Sequence, residues 1–387
     1  MENGMTEMTA KMYNKAISAQ LTVDEAVLML RQCADFRTLS QKLQAYSKGR
    51  DIKKLLIEGL HNNHPDANPE AISRKVRNWL NDCQNTLHKE DAIELCFIFG
   101  LNLEESDAFV AMISEDALHW RDIDEIPYIF ALLKGRTYQQ ATQLHKQIKD
   151  NISEKSNDVS SEEVFTSTIK DEIKKIQTEG DLIDYVIKTK NKLSRFHNTA
   201  YQSFCDMMEK LENPSTELAN IDKFYSENEN YSVGKIVQIY LHRKDIPELK
   251  ENTKKNLYSA LQRSVLQNWP SETVLSRIKK RHTDVSRKVL ILLFLATYDC
   301  YAPDESENNY EWKEDDIFLE TEFEKTRDEI FTEFYTNMNI MLEGCGFKIL
   351  DPRSPFDWMI IFCMCADDMY DIDGTLSAFL QNLFIGE

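Results

Sequence analysis

With 387 residues, a formal net charge of −19 and 42% hydrophobic residues, the chain is long enough for two or three domains, each with its own apolar core. The acidic balance excludes nucleic-acid binding by the surface as a whole, although it leaves room for a local basic patch. Eleven glycines and nine prolines are too few for the frequent turns of a sheet-rich fold, so composition favours an all-α protein.

The eight cysteines are scattered through apolar helical patterns and form no CxxC pair. This distribution is typical of buried free thiols in a reducing compartment. The first residues lack the apolar core of a signal peptide, and the longest apolar run, Val289 to Ala296, is far below the ~18 residues of a membrane span. We therefore expect a cytosolic protein that has no membrane partner and holds neither a metal nor a cofactor.

Residues 1–19 are polar, and we expect them to be loosely ordered. Thr22 and Glu25 are spaced as a capping box, which predicts the start of a helix over Val23 to Cys33. Two short helices are then predicted, over Phe36 to Ala45 and over Asp51 to Leu60. A polar connection, His61 to Pro69, follows the second of them.

The helix that begins near Glu70 has one apolar and one polar face. Ile72, Val76 and Trp79 recur at helical spacing, which predicts a buried stripe. The opposite face carries side chains that can bind phosphates or the edges of bases. These candidate nucleic-acid-binding residues are Ser73, Arg74, Arg77 and Asn81.

The stretch from about residue 36 to 112 resembles the lambda-repressor-like, or Xre, helix-turn-helix domain. The resemblance lies in two short helices, then Asn78-Trp79-Leu80, then Ala92-Ile93-Glu94-Leu95-Cys96 ending at Gly100-Leu101. In that family a recognition helix enters the major groove, which implies this role for the helix that carries Arg74 and Arg77. The connection before this helix is longer than the three or four residues usual in the family. Lys and Arg exceed Asp and Glu by only one between Arg50 and Glu90.

Residues 151–163 are rich in Ser, Asn, Asp and Glu and are predicted to be a linker. They would separate an N-terminal helical domain, residues 1–150, from a larger helical domain, residues 164–387. In the second domain the run Val289 to Ala296 is apolar on every side. Such a helix is normally buried, and we expect it to pack against Phe331, Phe334, Met338 and Met341.

The most basic part of this acidic chain lies between Arg263 and Lys288. Ser271 is expected to begin a helix there, and Thr283 or Asp284 to cap the next. Its candidate contacts to nucleic acid or to an acidic protein are Arg277, Lys279, Lys280, Arg281, Arg287 and Lys288. Alternatively these residues form a solvated helix face, or are masked by the acidic segment that follows, Asp299 to Glu333. The short match between Ser73-Arg74-Lys75-Val76 and Ser286-Arg287-Lys288-Val289 also raises the alternative of an internal duplication.

Asp371 to Thr375 reads DIDGT, the nucleophile motif of haloacid-dehalogenase-like phosphatases. That motif should follow a buried strand early in an α/β domain, whereas here it lies between predicted helices close to residue 387. We therefore expect no enzyme, and a phosphatase-like hydrolase is the least favoured interpretation. The leading interpretation is a regulatory or adaptor protein that acts through a protein partner, with DNA as a second candidate partner. The main alternative is a transcription regulator that reads DNA through Arg74 and Arg77.

Overall fold

The computed structural model describes residues 7–17, 21–32, 38–81, 87–114, 116–152, 166–193, 196–213, 231–247, 259–297, 326–365 and 372–385. These residues contain nineteen α-helices and two short 3-10 turns. No strand occurs in this part of the chain, where a single isolated bridge pairs Asp116 with Phe347. The predicted all-α fold is therefore confirmed.

Eleven helices precede residue 190. They are α1 (Glu7–Ile17), α2 (Val23–Gln32), α3 (Leu39–Ala45), α4 (Ile52–Asn63), α5 (Pro69–Trp79), α6 (Lys89–Phe99), α7 (Leu103–Ser114), α8 (Ile126–Leu133), α9 (Tyr138–Asn151), α10 (Thr166–Lys175) and α11 (Glu179–Thr189). Eight more helices follow. They are α12 (Asn198–Glu212), α13 (Val233–Ile239), α14 (Ala260–Leu266), α15 (Glu272–Lys279), α16 (Arg287–Ala296), α17 (Arg327–Gly344), α18 (Pro355–Met364) and α19 (Ile372–Ile385).

The buried apolar residues of the described helices form two clusters. The first cluster comes from helices α3 to α11, and the second from α1, α2 and the helices that follow α11. This division differs from the predicted domains. Ile169 and Leu182, which lie beyond the predicted linker, belong to the first cluster, and Met12 belongs to the second. Composition identified the polar segment, but the apolar faces of α10 and α11 determine that these two helices join the first cluster. Of the predicted linker, residues 153–163 lie outside the described residues.

Helix α1, Glu7–Ile17, lies within residues 1–19, a segment that was expected to be loosely ordered. Met12 and Ala16, four residues apart on one face, are almost fully buried. The indole nitrogen of Trp358 in α18 donates to the backbone oxygen of Met12 at 3.0 Å. The helix forms because a distant part of the chain covers its apolar face, which the polar composition of the segment did not reveal.

Helix α16 lies at the centre of the second cluster, as its uniformly apolar sequence predicts. Residues Val289 to Leu295 are all buried. The ring of Phe294 lies 5.4 Å from that of Phe334 in α17, and Phe331 and Met338 belong to the same cluster. The predicted core of the C-terminal half is therefore confirmed.

Most predicted helix starts agree with the structure. The backbone nitrogen of Thr22 donates to the carboxylate of Glu25, and the backbone nitrogen of Glu25 donates to the hydroxyl of Thr22. The hydroxyl of Ser271 likewise accepts from the backbone nitrogen of Val274 at the start of α15. The start of α16 differs, because Ser286 caps it in place of Thr283 or Asp284. The carboxylate of Asp284 instead binds a distant histidine, which is described below.

A glycine allows α4 to approach α6 closely. A β-carbon at Gly59 would lie 2.6 Å from a side-chain carbon of Ile98 in α6. We expect Gly59→Ala to lower the free energy of unfolding by about 1–3 kcal/mol, because this overlap outweighs the better helix propensity of alanine. Urea denaturation followed by circular dichroism would measure the change. The matched control is Gly180→Ala in α11, where the nearest atom is 3.9 Å away and stability should stay equal or rise by up to about 1 kcal/mol. Equal stability of Gly59→Ala and the unmutated protein would contradict the close approach.

Candidate nucleic-acid interface

A short turn joins α4 to α5 and determines where α5 begins. Helix α4 continues to Asn63, where the backbone nitrogen of His64 donates to the oxygen of Leu60 at 2.9 Å. The side chain of Asn68 then accepts from the backbone nitrogen of Glu70 at 2.8 Å, and Pro69 occupies the first helical position. The connection is therefore residues 64–68, which is shorter than the expected His61 to Pro69.

A buried carboxylate in α6 holds this turn in place. Glu94 is 3% exposed. One of its oxygens accepts from the side-chain amide of Asn63 at 3.0 Å and lies 2.9 Å from Nε2 of His64. No positioning role was predicted for Glu94, although an acidic residue inside the mostly apolar stretch from Ala92 to Phe99 was the available signal.

The inner face of α5 rests on the first cluster as predicted. Ile72, Val76 and Trp79 are buried. The Lys75 ammonium forms a 2.6 Å ion pair with Asp91 in α6 and lies 4.9 Å from the centre of the Trp79 ring. Lys75 therefore fixes α5 against α6, and its charge is already matched.

The outer face of α5 is open to solvent. Arg74, Arg77 and Asn81 are exposed, and Ser73 is half-buried. Within the described part of the chain, neither arginine takes part in an ion pair or a side-chain hydrogen bond. The spacing of three and four residues places the three exposed side chains along one stripe of the helix and its end. We call Arg74, Arg77 and Asn81 the α5 stripe.

The second predicted basic region is only partly a free surface. Arg277 and Lys280 are exposed at the end of α15. Lys279 forms a 2.7 Å ion pair with Glu212, and Arg281 donates to the side-chain oxygen of Asn198 at 2.6 Å. The guanidinium of Arg281 also lies 4.0 Å from the centre of the Tyr201 ring. The acidic segment proposed to mask this region lies mostly outside the described residues.

Arg287 and Lys288 were predicted to contact nucleic acid or an acidic protein, but both side chains are buried. The guanidinium of Arg287 binds both oxygens of Asp357, at 2.9 and 2.8 Å. The ammonium of Lys288 donates to the backbone oxygens of Val265 and Gln267. Counting charges along the sequence could not show this, since the first turn of α16 lies between elements that are distant in sequence. The two cations stabilise the second cluster and are not available to a ligand.

The two SRKV stretches also differ in structure. Ser73 and Arg74 lie in the middle of α5, where Arg74 is exposed. Ser286 is the N-cap of α16, and Arg287 is its buried first residue. The equivalent side chains have different environments, so the match is not accompanied by equivalent structure.

The second aspartate of the phosphatase-like motif, Asp373, binds a histidine. Asp371 lies outside the described residues, and the carboxylate of Asp373 lies 2.7 Å from Nε2 of His242. Nδ1 of His242 lies 2.9 Å from a carboxylate oxygen of Asp245. Burial acts to lower the pKa of His242, but the two carboxylates outweigh it and raise the pKa above its ordinary value. The two acids thus favour the protonated form of the histidine.

The cysteines among the described residues are free thiols. Cys96, Cys345, Cys363 and Cys365 are free and buried, and Cys205 is half-buried. Burial raises the pKa of the Cys96 thiol to about 12, which makes it inert. No group of three or more His, Cys, Asp or Glu side chains among these residues could hold a metal ion, and none of the described helices could cross a membrane. Comparison of the chain with protein-family models, with curated proteins and with solved structures gives no match.

Proposed function

We propose that this chain is a cytosolic, non-enzymatic regulatory protein that binds duplex DNA through the α5 stripe. The observation that carries the proposal is the pair of exposed arginines, Arg74 and Arg77, which have no acidic partner among the residues that the structure describes and lie on a helix whose other face is fixed to the core. The resemblance of residues 36–112 to the lambda-repressor-like domain supports the same assignment, because that resemblance implies a recognition role for the helix that carries Arg74 and Arg77.

The chemistry of the α5 stripe suits the major groove. A helix fits the width of the groove, arginine can donate two hydrogen bonds to guanine or to a phosphate, and asparagine can bind adenine. Glu94 and Lys75 would hold α5 at a fixed angle to the turn, so that few rearrangements accompany binding. The net charge of −19 opposes the approach of DNA, so affinity depends on these few contacts and falls with added salt.

We expect Arg74→Ala combined with Arg77→Ala to lower affinity for duplex DNA about 10-fold to 100-fold at low salt, as the loss of two arginine contacts predicts. Fluorescence anisotropy with a labelled random-sequence duplex, measured between about 50 and 200 mM salt, gives both the affinity and its salt slope. The slope should become shallower by about one to two in the double variant.

The chain offers a matched control, Arg277→Ala combined with Lys280→Ala. Arg277 and Lys280 are exposed and have the same three-residue spacing as Arg74 and Arg77. Their replacement removes the same two positive charges, but from the end of α15, whose apolar face belongs to the second cluster. The control should change affinity less than about twofold, since a distant pair contributes only screened electrostatics. Equal losses in the two double variants would show that binding is unspecific attraction and would overturn the assignment to α5.

A second candidate is an adaptor that binds an acidic protein through the same stripe. The observation that favours it is the near-neutral charge between Arg50 and Glu90, which is low for a DNA-binding surface. Absence of DNA binding at about 50 mM salt would favour this adaptor. A photo-reactive residue at position 77 should then cross-link one protein in cells. That product should disappear when Arg74 is also replaced by alanine.

A further inference from the structure

A chain of charged side chains lies where the two apolar clusters meet. The ammonium of Lys89, at the start of α6, lies 2.7 Å from Glu125 and 2.9 Å from Asp116. Asp116 in turn pairs by its backbone with Phe347, a member of the second cluster. Glu125, Lys89 and Asp116 therefore extend from the first cluster to the edge of the second.

His197 continues the chain into the second half of the protein. Its Nδ1 lies 2.6 Å from Asp284, and its Nε2 lies 3.5 Å from Asp116. The backbone nitrogen of His197 also donates to the Asp284 carboxylate, at 3.2 Å. The imidazole is stacked against the ring of His119 with centroids 4.1 Å apart, and the Phe347 ring lies 5.4 Å away. We call Glu125, Lys89, Asp116, His197 and Asp284 the junction chain.

The junction chain is enclosed enough for its charges to require partners. The side chains of Lys89, His197 and Glu125 are 16%, 11% and 11% exposed. At such burial an unmatched charge is costly, whereas a matched pair is tolerated. If Glu125 and His197 both hold a proton, the two cations Lys89 and His197 face the two carboxylates of Asp116 and Asp284. If Glu125 is ionised, a third carboxylate has no cation of its own. The number of protons on the junction chain therefore affects how well the two clusters fit together.

The pKa values of His119, His197 and Glu125 are not shifted in the same direction. Burial, with the nearby cations His197, Lys89 and Arg121, lowers the pKa of His119 to about 2, so this ring is neutral. Burial also acts to lower the pKa of His197, but Asp284 and Asp116 outweigh it and raise the pKa above the ordinary value. Burial raises the pKa of Glu125 to about 7, and Asp122 adds to this while Lys89 opposes it.

We infer that the junction chain is a proton-sensitive latch between the two clusters. With protons on Glu125 and His197 the charges balance, and the segments of Asp116 and Phe347 stay paired. Loss of these protons leaves unmatched carboxylates at the junction, and the contact between the clusters opens. The titratable and charged groups that face Glu125 and His197 are Lys89, Asp116, His119, Arg121, Asp122 and Asp284.

The direction of the pH effect follows from linkage. Glu125 and His197 both bind their protons more tightly in the folded protein than in the unfolded chain, whose values are 4.5 and 6.5. Their contribution to the closed latch is therefore complete at acid pH. The Glu125 contribution disappears between pH 4.5 and about 7, and the His197 contribution disappears as the pH rises through its raised pKa. The latch should weaken from acid to alkaline pH.

Hydrogen exchange of the full-length protein tests the latch directly. After correction for intrinsic exchange rates, peptides that cover residues 116–122 and 345–348 should lose protection as the pH rises from about 5.5 to 8.5. The expected loss is about tenfold for each unit by which the relevant pKa is raised. In Glu125→Gln, whose side chain stays neutral, the part of the loss below pH about 7 should disappear. The matched control is Glu90→Gln, an exposed residue of α6, which should behave like the unmutated protein.

Several outcomes would overturn the latch. Protection of the two junction peptides that stays constant with pH in the unmutated protein would do so. A pH dependence in Glu125→Gln equal to that of the unmutated protein would do so as well. If Glu125→Gln fails to fold, the titration of the unmutated protein still decides, together with His197→Gln. That second variant should lose the component of the pH dependence that His197 contributes as the pH rises through its raised pKa. Loss of protection spread evenly over α13 and α19 would indicate global unfolding and would equally contradict a junction latch.

Discussion

Replacing Asp357 by alanine is expected to lower the free energy of unfolding by about 3–5 kcal/mol, because it breaks a buried ion pair. Asp357 is 2% exposed, and its two oxygens bind the guanidinium of Arg287, which is 4% exposed. The backbone nitrogen of Asp351 donates to the same carboxylate at 2.8 Å. The substitution removes the carboxylate that binds the buried guanidinium through two hydrogen bonds, and the loss of that charged partner makes the burial of Arg287 costly.

Urea denaturation followed by circular dichroism would measure the loss. The exposed carboxylate of Glu58, 3.8 Å from Lys54, offers a control, and Glu58→Ala should change stability by less than about 1 kcal/mol. Combining Asp357→Leu with Arg287→Met removes both charges and should recover much of the stability, because apolar pairs often replace buried ion pairs without loss. A loss below about 1 kcal/mol in Asp357→Ala would contradict the buried pair.

Trp358→Ala should destabilise the protein by a similar amount, about 3–5 kcal/mol. The Trp358 side chain is fully buried in the second cluster and is stacked against Phe362 with ring centroids 5.7 Å apart. Its indole also donates to the backbone oxygen of Met12, which ties α1 to α18. The substitution creates a large cavity and also removes a buried hydrogen bond. Urea denaturation followed by circular dichroism would measure it.

Trp358→Phe separates the two contributions. It keeps most of the ring but removes the hydrogen bond to Met12, and we expect a smaller loss of about 1–3 kcal/mol. Hydrogen exchange of α1 should increase more than that of α16, because the lost bond belongs to α1. Equal exchange in both helices would show that the indole contributes through packing alone.

Much of the local structure could be predicted from the residues. The stripe of Ile72, Val76 and Trp79 identified the buried face of α5, and the apolar run from Val289 identified the helix at the centre of the second cluster. The capping box of Thr22 and Glu25 located a helix start. These predictions succeed because the interactions involved connect residues at most four positions apart or follow directly from an apolar pattern.

The charged residues were harder to predict, because their roles depend on distant partners. Arg287 resembled Arg277 in sequence, but it binds Asp357, which lies 70 positions away. Asp284 resembled a helix cap, but it binds His197 across 87 positions. The same limit applies to Glu94, whose carboxylate positions the turn before α5. A charge count over a window contains no information about which of these groups are buried.

Composition and residue pattern were enough to predict the helical class of this protein, the buried face of α5, the buried helix α16 and the polar stripe of α5. These follow from composition, periodicity and short-range capping, which act along a single helix. Only the tertiary structure decided that α1 joins the second cluster, that Arg287 and Lys288 lie inside it, and that the junction chain connects the two clusters. Burial of a charge is stable only beside its partner, and the partner's position is fixed by the packing of the whole chain.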